Sequence, residues 1–251
     1  MRSYSAQDVE VFARGVPHPE GVAFDSAGWL YTGSSLPDHK GVGAIYRISP
    51  DGATVEKFAD TGGRVLSLAF DQRGDLYVCD SKLRAVFRIE KNGAVHLFAD
   101  YCGNRKILLP NFLVFNAEGC LYVSDSGTAR AGEPSGAIFR FTPDGRSEIF
   151  VDGLIFTNGL ALSSNEDALF VVETRDDRVL RVPIRRDGAA GKPEVYADRL
   201  QTGPDGLALD AAGNLYITVT RANQIVRVSP TDERVALVTD PTGERVYMPS
   251  N

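Results

Sequence analysis

A β-rich fold is already indicated by LSLAFDQRGDLYVCDS (residues 66–81), in which two apolar runs flank a polar turn. The runs LSLAF and LYVC have the short, alternating character of β-strands that bury one face. The intervening DQRGD contains aspartate and glycine, which favour tight turns. The segment therefore predicts an antiparallel β-hairpin.

The same hairpin pattern occurs five times along the chain. The other four copies are GVAFDSAGWLYTGSS (21–35), FLVFNAEGCLYVSDS (112–126), GLALSSNEDALFVVET (159–174) and GLALDAAGNLYITVT (206–220). Each copy is followed by a third apolar run, a turn and a fourth run, for example AVFRIE, KNG and a strand ending in FAD. Four short antiparallel strands per unit are the composition of a β-propeller blade.

The repeat has an almost constant length. The residues immediately before the first strand of each unit are spaced by 46, 45, 47, 47 and 45 positions: Glu20, Leu66, Asn111, Asn158, Asp205 and Ser250. WD40 repeats are of similar length, but their Gly-His and Trp-Asp signatures are absent. The sequence therefore predicts an all-β chain in which residues 1–251 form a single propeller domain.

The N-terminus indicates how this propeller closes. Residues 9–15 contain Phe-Ala-Arg 46 positions before the Phe-Ala-Asp of residues 58–60, so they resemble a fourth strand without the three before it. Such a strand commonly completes the last blade. We therefore expect six blades of four antiparallel strands: five full blades over about residues 20–240, and a truncated sixth that begins at 248–251 and takes its outer strand from 9–15. A five-bladed ring with an additional N-terminal strand is the alternative.

Composition and charge exclude several classes of protein. Apolar residues make up 43% of the chain and charged residues 24%, as in ordinary globular domains. The formal net charge of −6 argues against binding to nucleic acid or to a membrane surface, and no apolar run is long enough to span a bilayer. Three cysteines without a CxxC pair predict neither a disulfide scaffold nor a zinc finger. With no apolar secretory segment at the start, we expect a cytoplasmic protein without an obligate protein partner.

The residues before the first strands are candidates for a binding site. In a propeller the first strand of each blade lines the central channel, so these residues form a ring at one mouth of the channel. Four of them carry a carboxylate or an amide group: Glu20, Asn111, Asn158 and Asp205. Two carboxylates and two amides suit a hard divalent cation, and without one the carboxylates would repel each other. Since the ring has no His or Cys, calcium, magnesium or manganese is favoured over zinc. Taken singly, each of these residues is also a common turn residue.

Three further carboxylates follow the second strands on the same face: Asp80, Asp125 and Glu173. They are candidates for a layer of residues behind the ring, or for a second cation site. The alternative, which the sequence favours, is that they are solvated loop residues or turn caps.

The chain resembles the gluconolactonase/regucalcin (senescence-marker-protein) family of six-bladed propellers in four motifs: PEGVAF (19–24), PNFLVF (110–115), TNGLAL (157–162) and PDGLAL (204–209). The resemblance extends from Glu10 onward. It implies a divalent metal cofactor, with calcium the first choice and magnesium, manganese or zinc as other possibilities, held by Glu20, Asn158 and Asp205. It also implies that Asn111 lies beside the metal or the substrate, and that the chain hydrolyses lactones.

Two apolar residues set the chain apart from the sugar-lactonase members of that family. Those members usually have an arginine two residues before the first asparagine and an aspartate just after it, where this chain has Leu109 and Phe112. The departure favours a less polar lactone, or another small-molecule ester, over an aldonolactone. We expect Asn111, Phe112 and Arg105 to contact this substrate. The resemblance favours Asp205 as the base that assists water attack on a carbonyl polarised by the metal.

Two other functions stay open at this point. A propeller of the NHL type shares the short-strand repeat and binds protein or RNA without catalysis, although the acidic charge weakens the RNA alternative. A propeller similar to strictosidine synthase joins amines to aldehydes with a channel glutamate and needs no metal. Metal analysis of the purified protein would separate the lactonase hypothesis from both.

Overall fold

The computed structural model describes residues 4–34, 43–128, 130, 132–200, 203–244, 246 and 249–250, and these residues form an almost entirely β structure. Its main elements are five antiparallel sheets of four strands each, which are the blades of a propeller. Within each blade the strands follow one another in chain order. Blade 1 consists of Pro19–Phe24, Leu30–Ser34, Ala44–Ile48 and Val55–Asp60; blade 2 of Val65–Phe70, Leu76–Asp80, Ala85–Ile89 and Val95–Ala99; blade 3 of Pro110–Phe115, Leu121–Asp125, Gly136–Phe141 and Ser147–Leu154; blade 4 of Thr157–Leu162, Ala168–Glu173, Arg178–Pro183 and Glu194–Ala197; and blade 5 of Pro204–Leu209, Leu215–Val219, Gln224–Val228 and Arg234–Thr239.

A few short elements lie outside the blades. Tyr4–Ser5 pairs in parallel with the outer strand of blade 5, and Tyr101–Cys102 pairs with Arg105–Lys106 as a small hairpin between blades 2 and 3. The helical elements are three 3-10 turns: Ala6–Asp8, Thr174–Asp176 and Thr220–Ala222. Within the described ranges, no helix has the length and apolar character needed to cross a membrane.

The predicted hairpins are confirmed, and side chains of the turns explain their recurrence. Asp71, at the start of the first turn of blade 2, accepts hydrogen bonds from the backbone N–H groups of Arg73 and Asp75, both at 2.9 Å. Asp25 and Asp210 make the same pair of bonds in blades 1 and 5. An aspartate that caps its own turn in this way favours a reversal of the chain at that point.

Apolar side chains pack between each successive pair of blades. Leu68, in the first strand of blade 2, belongs to a cluster with Tyr31 and Ile45 of blade 1. Tyr31 also contacts Phe58 and Phe70 edge to face, with ring centroids 5.1 and 5.0 Å apart. Equivalent clusters join blades 2 and 3, blades 3 and 4, and blades 4 and 5. The first strands of these neighbouring blades consequently lie side by side.

The prediction of six blades is wrong for this structure, which has five. The described residues that follow the fifth blade, 240–244, 246 and 249–250, form no strand. The predicted start of a sixth blade at 248–251 lies partly outside the described residues. Its described positions, 249 and 250, are not in a strand.

Among the described residues, no neighbouring blade packs against one face of the inner strand of blade 1. Val22 occupies the repeat position that is less than one-tenth exposed in the other four blades, where it is Leu68, Leu113, Leu160 and Leu207. Val22 itself is 56% exposed and Phe24 is 62% exposed. In the described part of the chain, the first strands of blades 5 and 1 do not pack side by side as those of successive blades do.

The predicted outer strand at residues 9–15 is also wrong, because these residues form no strand. The pairing at the N-terminus is made instead by Tyr4–Ser5. The segment nevertheless lies in a place like that of an outer strand. The carbonyl of Phe12 approaches Gly52 in a turn of blade 1, as the carbonyl of Phe58 approaches Gly93 in blade 2. A strand also needs a hydrogen-bonding neighbour, and none lies beside residues 9–15 in the ranges described.

Candidate functional site

Each first strand contains a β-bulge at the ring position. In blade 4 Thr157 pairs with Glu173, but the next paired residues are Leu160 and Val171, so the first strand carries one extra residue. The same kind of register shift occurs near the start of the first strand in the other four blades. A bulge changes the direction of the side chains beside it. The four polar ring residues therefore lie within strands, at bulges, and the alternative that they are turn residues is wrong.

Glycine follows three of the polar ring residues, and at two of these positions a neighbouring backbone passes too close for a side chain. A Cβ atom on Gly159 would stand 2.6 Å from the carbonyl oxygen of Asp205. A Cβ atom on Gly21, whose φ is +65°, would stand 2.9 Å from the carbonyl oxygen of Leu66. The missing side chains let the first strands of adjacent blades approach each other.

Three ring residues from blades 1, 4 and 5 lie close together. Asn158 Nδ2 donates a hydrogen bond to Asp205 Oδ1. Burial of the carboxyl group, followed by the negative charge of Glu20, raises the pKa of Asp205 to about 7, while the hydrogen bond from Asn158 acts in the opposite direction. The structure therefore places Asn158 in direct contact with Asp205, and Glu20 near enough for its charge to act on Asp205.

The chemistry of these side chains fits a hard divalent cation. Asn158 Oδ1 is buried and has no hydrogen-bond partner among the residues described, a costly state unless a bound group satisfies the oxygen. With the carboxylates of Glu20 and Asp205 it provides oxygen donors only, two of them negative. The described residues contain no group of three or more His, Cys, Asp or Glu side chains that could hold a metal, so the amide would be the third ligand. That Glu20, Asn158 and Asp205 bind a metal stays a prediction.

Asn111 is held by a buried hydroxyl network between blades 3 and 4. Its Nδ2 donates to Ser126 Oγ at 3.0 Å, and Ser126 Oγ donates to the carbonyl oxygen of Thr157 at 2.6 Å. Sequence analysis missed this role of Ser126. The available signal was a hydroxyl residue that recurs after the second strand of four blades: Ser81, Ser126, Thr174 and Thr220.

The other two residues predicted to bind substrate, Phe112 and Arg105, make contacts within blade 3 and at its boundary with blade 4. Phe112 packs against the apolar cluster between blades 3 and 4. Arg105 pairs with Asp152, and its guanidinium donates to the carbonyl oxygen of Ser135 at 2.7 Å. The same guanidinium lies over the ring of Phe139, 5.7 Å from its centroid. These contacts tie Arg105 to the outer part of blade 3, and a role of either residue in substrate binding stays a prediction.

The carboxylates at the ends of the second strands of blades 2, 3 and 4 fasten the segments that enter these blades. Asp125, which is 1% exposed, accepts hydrogen bonds from the N–H groups of Leu108 and Leu109 at 2.7 and 2.9 Å. Asp80 and Glu173 accept equivalent bonds in blades 2 and 4. They cap turns, as one alternative predicted, but they are buried rather than solvated. These hydrogen bonds explain the presence of the three carboxylates, and no second cation site is needed to explain them.

The chain matches known proteins along most of its length. A family model described as the SMP-30/gluconolactonase/LRE-like region matches residues 43–249, and a model of the N-terminal part of strictosidine synthase-like proteins matches residues 11–36. Hemomucin of Drosophila melanogaster, an adipocyte plasma membrane-associated protein, is 32% identical over 60% of this chain and 29% of its own length. Lactonase drp35 of Staphylococcus aureus (strain MRSA252) is 25% identical over 80% of this chain and 63% of its own length. The chain thus spans less than two thirds of either relative.

A solved structure shares the propeller architecture. The gluconolactonase from Xanthomonas campestris superposes with a TM-score of 0.77, covering 90% of this chain and 77% of that one. The two sequences are 22% identical over the superposed region, so this likeness concerns the fold alone.

Proposed function

Because the chain belongs to the SMP-30/gluconolactonase/LRE-like family, as its motifs predicted, we propose that it hydrolyses lactones with the help of a divalent metal ion. The observation that carries the proposal is the meeting of Asn158 and Asp205 beside Glu20, with Asn158 Oδ1 buried and unpaired within the described structure. These three side chains would hold the ion. Calcium is the first choice for an all-oxygen donor set, and magnesium, manganese and zinc are the other cations to test.

Asp205 is proposed as the base that assists the attacking water. A bound cation supplies positive charge that polarises the substrate carbonyl and offsets the charge that develops on its oxygen. Asp205 accepts a proton from the water as the water oxygen bonds to the carbonyl carbon. The proton then passes to the ring oxygen as the ring C–O bond breaks, which gives the open hydroxy acid.

The proposed substrate is a less polar lactone or a related ester. Leu66, at the ring position of blade 2, is buried and apolar. Leu109 has its N–H bound to Asp125, and the side chain of Phe112 packs between blades 3 and 4. The two positions where sugar-lactonase members usually carry charge are therefore apolar here, which disfavours a polyhydroxylated sugar lactone.

A panel of sugar and alkyl lactones, assayed with and without chelator, tests the proposal. We expect hydrolysis that is lost on chelation and restored by calcium, and that is abolished by Glu20→Gln and by Asp205→Ala without loss of the fold. Glu118→Gln is the matched control, because Glu118 is an exposed carboxylate in a hairpin turn of blade 3. Full hydrolysis by both site variants, or by chelated wild-type protein, would refute the proposal.

A second candidate is an amine–aldehyde condensing enzyme similar to strictosidine synthase. It is supported by the match of that family's N-terminal model to residues 11–36, which include Glu20. This activity would not need a metal. Condensation of an aryl-ethylamine with an aldehyde by chelated protein, lost in Glu20→Gln, would favour it over lactone hydrolysis.

A further inference from the structure

A hydroxyl group interacts with the ring asparagine in both blades that have one. In blade 3, Asn111 Nδ2 donates to Ser126 Oγ at 3.0 Å. In blade 4, Asn158 Nδ2 donates to Thr174 Oγ1 at 3.3 Å. Ser126 and Thr174 occupy the same position of the repeat, directly after the last residue of the second strand. The same hydrogen bond, from an amide nitrogen to a hydroxyl oxygen, therefore holds a candidate ligand in each of these two blades.

Two of the blades without a ring asparagine, blades 2 and 5, use the same hydroxyl differently. In blade 2, Ser81 Oγ donates to the carbonyl oxygen of Arg64 at 3.3 Å, and the ring residue is Leu66. In blade 5, Thr220 Oγ1 donates to the carbonyl oxygen of Gly203 at 3.0 Å. The hydroxyl group thus interacts with a ring side chain in the blades where that side chain has an amide to donate.

Hydrogen-bond polarity determines which way these amides face. Ser126 Oγ gives its only proton to the carbonyl oxygen of Thr157, so toward Asn111 it can act only as an acceptor. A rotated Asn111 amide would bring its oxygen against a hydroxyl oxygen with no proton left to share. In blade 4, the nitrogen of Asn158 faces both Thr174 and the carboxylate of Asp205. In both amides the nitrogen is engaged, which leaves the oxygen available to a ligand.

We propose that Ser126 and Thr174 are positioning residues, which hold the amide nitrogens of Asn111 and Asn158 so that the amide oxygens are presented to the bound cation or substrate. This inference rests on the proposed function, which supplies that ligand. For Asn158 the presented oxygen is the buried Oδ1 atom that has no partner in the described part of the protein. Residues that orient metal ligands commonly matter for affinity by roughly 10- to 100-fold.

Calcium titration of chelator-stripped protein, followed by calorimetry, tests the role of Thr174. We expect Thr174→Val to weaken calcium binding by roughly tenfold. Thr174→Ser keeps the hydroxyl group and should restore the wild-type affinity, which a merely structural effect of the side chain would not predict. Ser81→Ala is the matched control, since it removes the equivalent hydroxyl beside Leu66 and should leave calcium affinity unchanged. Wild-type affinity in Thr174→Val would overturn the inference.

A measurement without metal separates failure of this inference from failure of the proposed function. In ¹⁵N–¹H spectra of the metal-free protein, the side-chain amide of Asn158 is the pair of signals absent from Asn158→Asp. We expect this pair to shift in Thr174→Val and to stay in place in Thr174→Ser and Ser81→Ala. If wild-type protein binds no divalent cation, the metal-dependent function is refuted, and the amide shift alone decides the orienting role. An unchanged pair in Thr174→Val would refute that role.

Discussion

Replacing Asp205 with asparagine is expected to stabilise the metal-free protein at neutral pH. Burial, and then the charge of Glu20, raises the pKa of this carboxyl from 3.8 to about 7 in the folded state. Below pH 4 the group is protonated in both states and has no effect. Between pH 4 and 7 the unfolded chain ionises first, so the folded state loses stability as the pH rises, and above 7 the loss is constant.

The size of the effect follows from the shift of the pKa. About three pKa units at about 1.4 kcal/mol each amount to about 4 kcal/mol. The variant should therefore be more stable than wild type by roughly 2 kcal/mol at pH 5 and by roughly 4 kcal/mol at pH 8. The side chain is largely buried, and because part of it reaches solvent these energies are upper values. The new amide oxygen can still accept the hydrogen bond from Asn158.

Urea unfolding of chelated protein at the two pH values measures this difference. Asp187→Asn is the control, because it makes the same substitution at an exposed carboxylate in a turn of blade 4. Added calcium should stabilise wild type at pH 8 but not Asp205→Asn, since a bound cation offsets the buried charge. If Asp205→Asn and wild type differ by the same amount at pH 5 and pH 8, the reasoning from burial of Asp205 is refuted.

Four further substitutions test the packing and the hydrogen bonds that build the site. Leu68→Ala should lower the free energy of unfolding by about 2–5 kcal/mol in urea, because Leu68 is buried between blades 1 and 2. Val22→Ala should lower it by less than about 1 kcal/mol, because Val22 lies on the exposed face of blade 1. Equal losses would contradict the five-bladed arrangement. Gly159→Ala should cost about 1–3 kcal/mol and abolish calcium binding, measured by calorimetry, because its methyl group meets the carbonyl of Asp205; unchanged affinity would contradict this close approach. Asp125→Ala should cost about 3 kcal/mol or more, because it leaves several buried N–H groups unpaired, and a urea midpoint near that of wild type would contradict its anchoring role.

Local patterns and the repeat were sufficient to predict the blades. Each hairpin is specified by neighbouring residues, such as Asp71, which caps its own turn. The constant period then places residues such as Asn111, Asn158 and Asp205 at equivalent points of successive blades, and equivalent points of a propeller lie around one axis. The contact between Asn158 and Asp205 could therefore be anticipated without knowledge of the bulges that direct the two side chains.

Features that depend on distant neighbours could not be predicted in this way. Phe12 has the sequence surroundings of Phe58, but in the described part of the chain no strand pairs with residues 9–15, so the likeness does not produce a strand. The outcome at the N-terminus was instead the parallel pairing of Tyr4–Ser5 with blade 5. The role of Ser126 was harder to predict, because the recurring hydroxyl marks its position in the repeat but not its two partners, which come from different blades.

The candidate site is a product of packing between blades rather than of any single motif. Gly159 lets the first strand of blade 5 approach blade 4, and this approach puts Asp205 in contact with Asn158. The same approach buries the carboxyl of Asp205 near Glu20, which raises its pKa and gives the metal-free site an unfavourable concentration of negative charge. A cation held there, as proposed, would relieve this charge and would also satisfy Asn158 Oδ1, so one ligand would remove two costs of the folded state. We therefore expect any substitution that moves the first strands of blades 4 and 5 apart to weaken cation binding.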